Sequence, residues 1–110
     1  MESYGQQGED YIKQAEKKLK GGFFKNMFSN KADRLDEARE LFEQAANSFK
    51  LAKMFERSCD AYLRAAKCEE DSKGDPSNYY MDAAHAQKKA GNMGEFIRIS
   101  DQAINAFCKQ

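Results

Sequence analysis

Three observations predict an all-α fold built as a stack of antiparallel helical hairpins, about five helices in all. Apolar residues recur at three- and four-residue spacing in five separate stretches. Gly21-Gly22, Ser72-Lys73-Gly74-Asp75-Pro76 and Gly91-Asn92 interrupt those stretches as helix breakers. The shift that lays Ala45 on Ala83 also lays Ala46 on Ala84, Lys50 on Lys88, Ala52 on Ala90 and Ala65 on Ala103. Two hairpins of similar length with alanine pairs at matching positions are the pattern of a tetratricopeptide-like solenoid.

The first helix is expected over roughly Gln7 to Lys20, with Ile12, Ala15 and Leu19 as a narrow apolar stripe that Tyr11 widens. Glu9 and Asp10 near its start and Lys17, Lys18 and Lys20 near its end suit the helix dipole. The second runs from Lys31 to Ala52 and carries the strongest periodicity: Leu35, Ala38, Phe42, Ala45, Phe49 and Ala52. Asp36, Glu37, Glu40, Glu43 and Asn47 fall on the other face. Only Lys53-Met54 separates it from the third helix, Phe55 to Asp71, whose face is marked by Phe55, Cys59, Tyr62, Ala65 or Ala66, and Glu69. So short a corner makes the two helices antiparallel neighbours. Pro76 suits the first turn of the fourth helix, Ser77 to Ala90, lined by Tyr80, Ala83, Ala84, Gln87 and Ala90. The fifth spans Gly94 to Phe107, with Phe96, Ile97, Ser100, Ala103, Ile104 and Phe107 at helical spacing.

The totals exclude several classes. Lys plus Arg and Asp plus Glu stand at 18 each, so bulk attraction to nucleic acid is not indicated. No run of about 18 apolar residues occurs, and the first residues lack the apolar region of a secretory signal. Cys59, Cys68 and Cys108 fit neither a zinc nor a redox spacing and are expected as reduced packing residues. His85 is the only histidine and sits beside Ala84 and Ala86, without the partners a general base needs. The glycine pairs lack the spacing and lysine of a phosphate loop. Glu69-Glu70-Asp71 reads as a solvated charge run. No catalytic constellation, metal site or cofactor site emerges, and the chain is read as a non-enzyme.

One stretch stands apart. Between the glycine pair and Ser29-Asn30, which offers the cap of the next helix, lie Phe23, Phe24, Met27 and Phe28. From Lys17 to Ala32 there is no acidic residue, while Lys17, Lys18, Lys20, Lys25 and Lys31 fall inside. A loop this apolar must hide its side chains in its own core, in a partner or in a bilayer. Aromatic groups ringed by lysines suit an anionic membrane surface, where partial insertion plus about 1 kcal/mol per lysine gives weak, reversible attachment.

Three segments carry a resemblance. Phe23-Phe24-Lys25-Asn26-Met27-Phe28, Ala45-Ala46-Asn47-Ser48-Phe49-Lys50-Leu51-Ala52-Lys53 and Asp82-Ala83-Ala84-His85-Ala86-Gln87-Lys88-Lys89-Ala90 resemble, in that order, the N-terminal part of the soluble NSF attachment protein (SNAP) family, alpha type. Met27 stands where the family often has Leu, which keeps the apolar volume. The resemblance implies a cytoplasmic, peripheral adaptor in vesicle trafficking. Such an adaptor binds the SNARE four-helix bundle at membranes and recruits the ATPase NSF, which takes the bundle apart. Residues 1–110 then read as the N-terminal part of a helical-repeat domain: helix 7–20, a membrane-attachment loop over 21–30, and hairpins 31–71 and 77–108. The resemblance implies membrane attachment by Phe23, Phe24, Met27 and Phe28, with Lys20 and Lys25 in the basic collar. It makes Lys53, Lys88 and Lys89 candidates to meet the acidic bundle. It places the NSF contacts in a C-terminal part expected to be missing here. Without a further repeat, Ile97, Ile104 and Phe107 are expected to stand uncovered and to promote self-association. The alternative is a generic tetratricopeptide-like peptide scaffold with the aromatic loop packed in its core.

Overall fold

The computed structural model describes residues 2–20 and 30–109. Among them are five helices and no strand: α1 (Tyr4–Lys20), α2 (Lys31–Leu51), α3 (Phe55–Asp71), α4 (Ser77–Lys89) and α5 (Met93–Cys108). Each helix packs chiefly on its neighbours in the chain, so the array grows in sequence order. The assembly measures 44 × 43 × 13 Å. Its buried apolar residues form one contiguous cluster drawn from all five helices. That cluster runs along the seams between adjacent helices.

Small side chains let the seams close. Ala38, Ala45 and Ala46 on α2, Ala61, Ala65 and Ala66 on α3, and Ala83, Ala84 and Ala86 on α4 are all buried. Phe42 and Phe49 are the largest fully buried side chains. Gly8 of α1 lies against Phe49 so closely that a Cβ there would come within 2.7–2.9 Å of three ring atoms. Helix α1 therefore rides directly on the ring.

A two-rung ladder ties the first three helices. Arg57 of α3 covers the Phe49 ring, its guanidinium carbon 4.9 Å from the centroid, and pairs with Glu9 of α1. Two turns on, Arg64 covers Phe42 at 4.5 Å and pairs with Glu16 at 3.0 Å. The numbers rise together on α1 and α3 and fall on α2. So α1 and α3 run parallel, with α2 antiparallel between them. Exposed cation–π contacts and ion pairs contribute roughly 0.5–1 kcal/mol each or less, so the ladder sets register more than stability.

On the other side, Arg39 of α2 joins three helices. Its guanidinium donates to Asp36 at 2.8 Å and to the Tyr79 hydroxyl of α4 at 2.8 Å, and pairs with Glu69 of α3 at 3.0 Å. The Tyr79 hydroxyl donates onward to Glu43 at 2.6 Å, and Tyr62 donates to Asn47 at 2.7 Å. Glu43 and Asn47, placed by periodicity on the outer face of α2, thus meet α4 and α3.

The corners repeat more faithfully than the sequence. After α2, the amides of Ala52, Lys53 and Met54 donate to the carbonyls of Ser48, Lys50 and Phe49. After α4, at the matching place in the repeat, Ala90, Gly91 and Asn92 donate to Ala86, Lys88 and Gln87. After α3, Ser72, Lys73 and Gly74 repeat the pattern on Cys68, Glu70 and Glu69. These are Schellman turns, and the left-handed residue is Lys53 (φ 61°), Lys73 (φ 67°) and Gly91 (φ 86°).

Several residues depart from their sequence assignments. Helix α1 begins at Tyr4 rather than Gln7, because Ser3 caps it by accepting from the Gln6 amide at 3.1 Å. Leu19 is exposed, in the terminal turn of α1, while Ile12 and Ala15 are buried. On α5 the fully buried residue is Ile99, absent from the expected stripe, while Ile97, Ile104 and Phe107 are uncovered, as expected. Cys59 and Cys68 are buried, but Cys108 is exposed. Pro76 precedes α4 as its cap residue, with Asp75 accepting from the Ser77 amide at 2.9 Å and its hydroxyl at 2.7 Å.

Two outcomes follow from this packing. Gly8→Ala places a methyl group inside the Phe49 contact, and Phe49 is pinned beneath Arg57. Despite the better helix propensity of alanine, the variant should lose about 1–3 kcal/mol, read as a lower urea midpoint. Tyr62, Tyr79 and Tyr80 are each pushed up to about 12, by burial first, with hydrogen bonds to Glu43 and Glu70 adding for Tyr79 and Tyr80. Unfolded tyrosine ionises near 10, so between about pH 10 and 12 the unfolded chain binds fewer protons. Their contribution is full below pH 10 and is lost as pH rises toward 12. The urea midpoint should fall across that window, and less steeply in Tyr79→Phe.

Candidate functional site

Antiparallel packing gives the slab two working ends. At one end stand the C-terminus of α1, the N-terminus of α2, the α3–α4 connection and the C-terminus of α5. At the other stand the N-terminus of α1 and the α2–α3 and α4–α5 corners. Helix α2 has 21 residues, which sets the ends about 31 Å apart.

The first end carries the basic loop flanks. Lys20 closes α1 and is exposed, as is Lys31 at the opening of α2. Asn30 caps α2 by accepting from the Asp33 amide at 2.8 Å. Lys18 pairs with Glu37 at 3.0 Å and so braces α1 on α2. Phe23, Phe24, Lys25, Met27 and Phe28, the heart of the predicted attachment loop, lie outside the described residues.

The second end gathers the other three candidates. Lys53 is the left-handed corner residue after α2 and is exposed. Lys88 and Lys89 lie in the last turn of α4. Lys53 and Lys89 share a shallow cleft of about 480 Å³, with Met54, Phe55, Glu56, Arg57 and Ala90. The Lys89 ammonium stands 5.9 Å from the Phe55 ring centroid, across the two corners. Lys88 does not line the cleft; it stands 5.4 Å from the centroid of Phe96 on α5.

Lys50 was not singled out from the sequence, yet the repeat shift lays it on Lys88, and it likewise stands over an aromatic ring, Tyr62, at 6.0 Å. The shift pairs the two lysines, so the signal was available. Arg57 was also missed, and no periodicity flags it. Glu56 accepts from Asn92 at 2.9 Å, and Glu9 is taken by Arg57, so both nearby carboxylates are engaged.

Nucleophilic chemistry finds little here. Burial pushes the Cys68 thiol up to about 11 and raises that of Cys59, which disfavours the reactive thiolate. His85 is exposed and stacks on Phe96 with centroids 6.4 Å apart. Among the described residues, no group of three or more His, Cys, Asp and Glu side chains could hold a metal ion. No helix among them is long and apolar enough to cross a membrane.

The family model "Soluble NSF attachment protein, SNAP" matches residues 6–110. The chain belongs to the soluble NSF attachment protein family. Among curated SNAP relatives it is 35% identical to the alpha-soluble NSF attachment protein of Vitis vinifera, over 93% of this chain and 34% of that protein. It is 34% identical to the beta-soluble NSF attachment protein of Bos taurus, over 97% of this chain and 37% of the relative. With the alpha protein of Mus musculus it shares 34% identity over 82% of this chain and 32% of the relative. The chain therefore spans about a third of the length of these SNAP relatives.

The lysines of the corner end are surface features, so reversing their charge should leave the SNAP fold standing. Lys53→Glu, Lys88→Glu and Lys89→Glu should each shift unfolding free energy by no more than about 1 kcal/mol, with unchanged helical circular dichroism.

Proposed function

We propose that this chain is the membrane-proximal part of a non-enzymatic adaptor that binds SNARE complexes for disassembly by NSF. The observation that carries the reading is the SNAP match over residues 6–110. The geometry supports a division of labour. Phe23, Phe24, Met27 and Phe28, with Lys20 and Lys25, attach the first end to an anionic, cytosolic membrane surface. Lys53, Lys88 and Lys89 present the second end to the acidic surface of the SNARE four-helix bundle. The helices between act as a spacer of about 30 Å. Holding one end on the bilayer raises the effective concentration of the other for a membrane-anchored bundle. Each contact is weak and salt-sensitive, as surface charge pairing dictates.

Two assays separate the ends. In liposome flotation at low and high salt, the chain should bind anionic vesicles. A variant with Phe23→Ser, Phe24→Ser, Met27→Ser and Phe28→Ser should lose that binding while keeping its helical signal. In solution without lipid, a Lys53→Glu, Lys88→Glu, Lys89→Glu triple variant should bind assembled SNARE bundle at least tenfold more weakly than the unaltered chain. Equal flotation of loop variant and parent, or loss of helix in the variant, would return the aromatic residues to the core. Unchanged bundle binding by the triple variant would remove the corner lysines from the contact.

A further inference from the structure

Helix α3 runs between α2 and α4, and one stripe of it is overhung from both sides. Phe55 and Tyr62 lie seven residues apart on that stripe, about 10 Å along the helix. The Lys89 ammonium of α4 stands 5.9 Å from the Phe55 ring centroid, and the Lys50 ammonium of α2 stands 6.0 Å from that of Tyr62. Both lysines are exposed. Lys53, in the corner that leads into α3, shares its cleft with Lys89. Asp82 of α4 faces the same shallow channel over α3. Burial raises its carboxyl, Lys50 and His85 draw it down, and Glu43 raises it further. Burial and then Asp82 also raise the Tyr62 hydroxyl, which donates to Asn47 of α2 at 2.7 Å. Lys50 and Asp82 therefore meet across α3, one from each side of Tyr62.

We infer, on the footing of the bundle contact proposed above, that Lys50 is a further bundle-binding residue and that Asp82 beside it limits the affinity. Lys50 and Lys89 flank α3 from opposite sides. An acidic segment of the bundle laid over the Phe55–Tyr62 stripe thus meets a cation on each side. Lys88 is left out of that pair, because it turns to Phe96 on α5. An ammonium resting on a ring keeps its charge and its donors but loses freedom. Less freedom is then left to lose when it meets a carboxylate. Asp82 acts in the opposite sense: it offsets part of the Lys50 charge and repels an acidic partner. Like charges set against each other are a means by which a surface rejects the wrong partner. Strong binding is thereby confined to a segment whose acidic groups fall toward the corner, over Lys50, Lys53 and Lys89, and clear of Asp82 and Glu43. The contact draws on α2, α3 and α4, the middle of the array.

The test is calorimetric titration of the 110-residue chain with lipid-free assembled SNARE bundle at low and high salt. Lys50→Ala should weaken binding by about threefold or more and flatten its salt dependence, and Lys50→Arg should restore both. Asp82→Asn should tighten binding by about twofold or more. Lys13→Ala removes an exposed lysine of α1, outside the channel, and should leave the affinity within about twofold. Helical circular dichroism should be the same in every variant, since Lys13, Lys50 and Asp82 are all exposed. A Lys50→Ala chain that binds like the parent, while Lys53→Glu and Lys89→Glu weaken binding, overturns the inference and leaves the bundle contact standing. Equal loss in Lys50→Ala and Lys13→Ala overturns it too, since net charge alone then governs. An Asp82→Asn chain no tighter than the parent overturns the opposing role of Asp82. A parent chain that fails to bind the bundle overturns the bundle contact itself, and the part given to Lys50 goes with it.

Discussion

A slab only 13 Å deep along its shortest axis carries its core along the lines where neighbouring helices meet. Every helix must come close enough to its neighbours for small side chains to meet, and that closeness is the condition on which the rest of the structure stands. The alanines of α2, α3 and α4 meet it along the seams. Gly8 meets it most sharply, where α1 settles on the Phe49 ring. Once α1 and α3 flank α2 at that distance, Arg57 and Arg64 can reach across two buried rings to Glu9 and Glu16. The Arg39 cluster then ties α2 to α3 and α4. These polar links fix which helix faces which; the seams supply most of the stability, through burial of roughly 25 cal/mol per Å².

Periodicity made the helices legible because in a slab each helix buries a stripe. It read α2 best, where Leu35, Ala38, Phe42, Ala45 and Phe49 are all buried. It read α3 too narrowly, because α3 buries Ser58, Ala61 and Cys68 as well. On α5 it found the open stripe of Ile97, Ile104 and Phe107 but missed Ile99, the buried one. That helix carries two apolar stripes, one packed and one open, and a periodicity of 3.6 cannot say which is which. Ser3 was overlooked as the cap of α1 because the apolar stripe begins only at Gly8 and Ile12. Glu43 and Asn47 looked solvated because a carboxylate or amide on a helix face usually is, and only the depth of Tyr79 and Tyr62 in the seams gives them partners.

The candidate site was legible in part. The lysines were visible in the segments that resemble the SNAP family, but their arrangement was not. That Lys53 and Lys89 converge on one cleft depends on two corners with the same hydrogen-bond pattern being brought side by side. That Lys88 turns instead to Phe96, as Lys50 does to Tyr62, depends on which helix follows. Charge along the sequence also concealed polarity in space. A chain with no net charge has lysines grouped at the corner end and at the α1–α2 flank of the other end, while Glu69, Glu70, Asp71 and Asp75 collect around the α3–α4 connection.

Packing chiefly between consecutive helices also bears on how the chain acquires its shape. Most of its contacts lie within a helix or between consecutive helices, so little loop entropy stands in the way of most of them. A topology of this kind folds quickly and can grow from one hairpin outward. The α1–α2–α3 unit, with its ladder complete by Arg64, offers a finished surface on which α4 and then α5 can settle. During synthesis each newly emerged helix meets a seat that its predecessors have already formed.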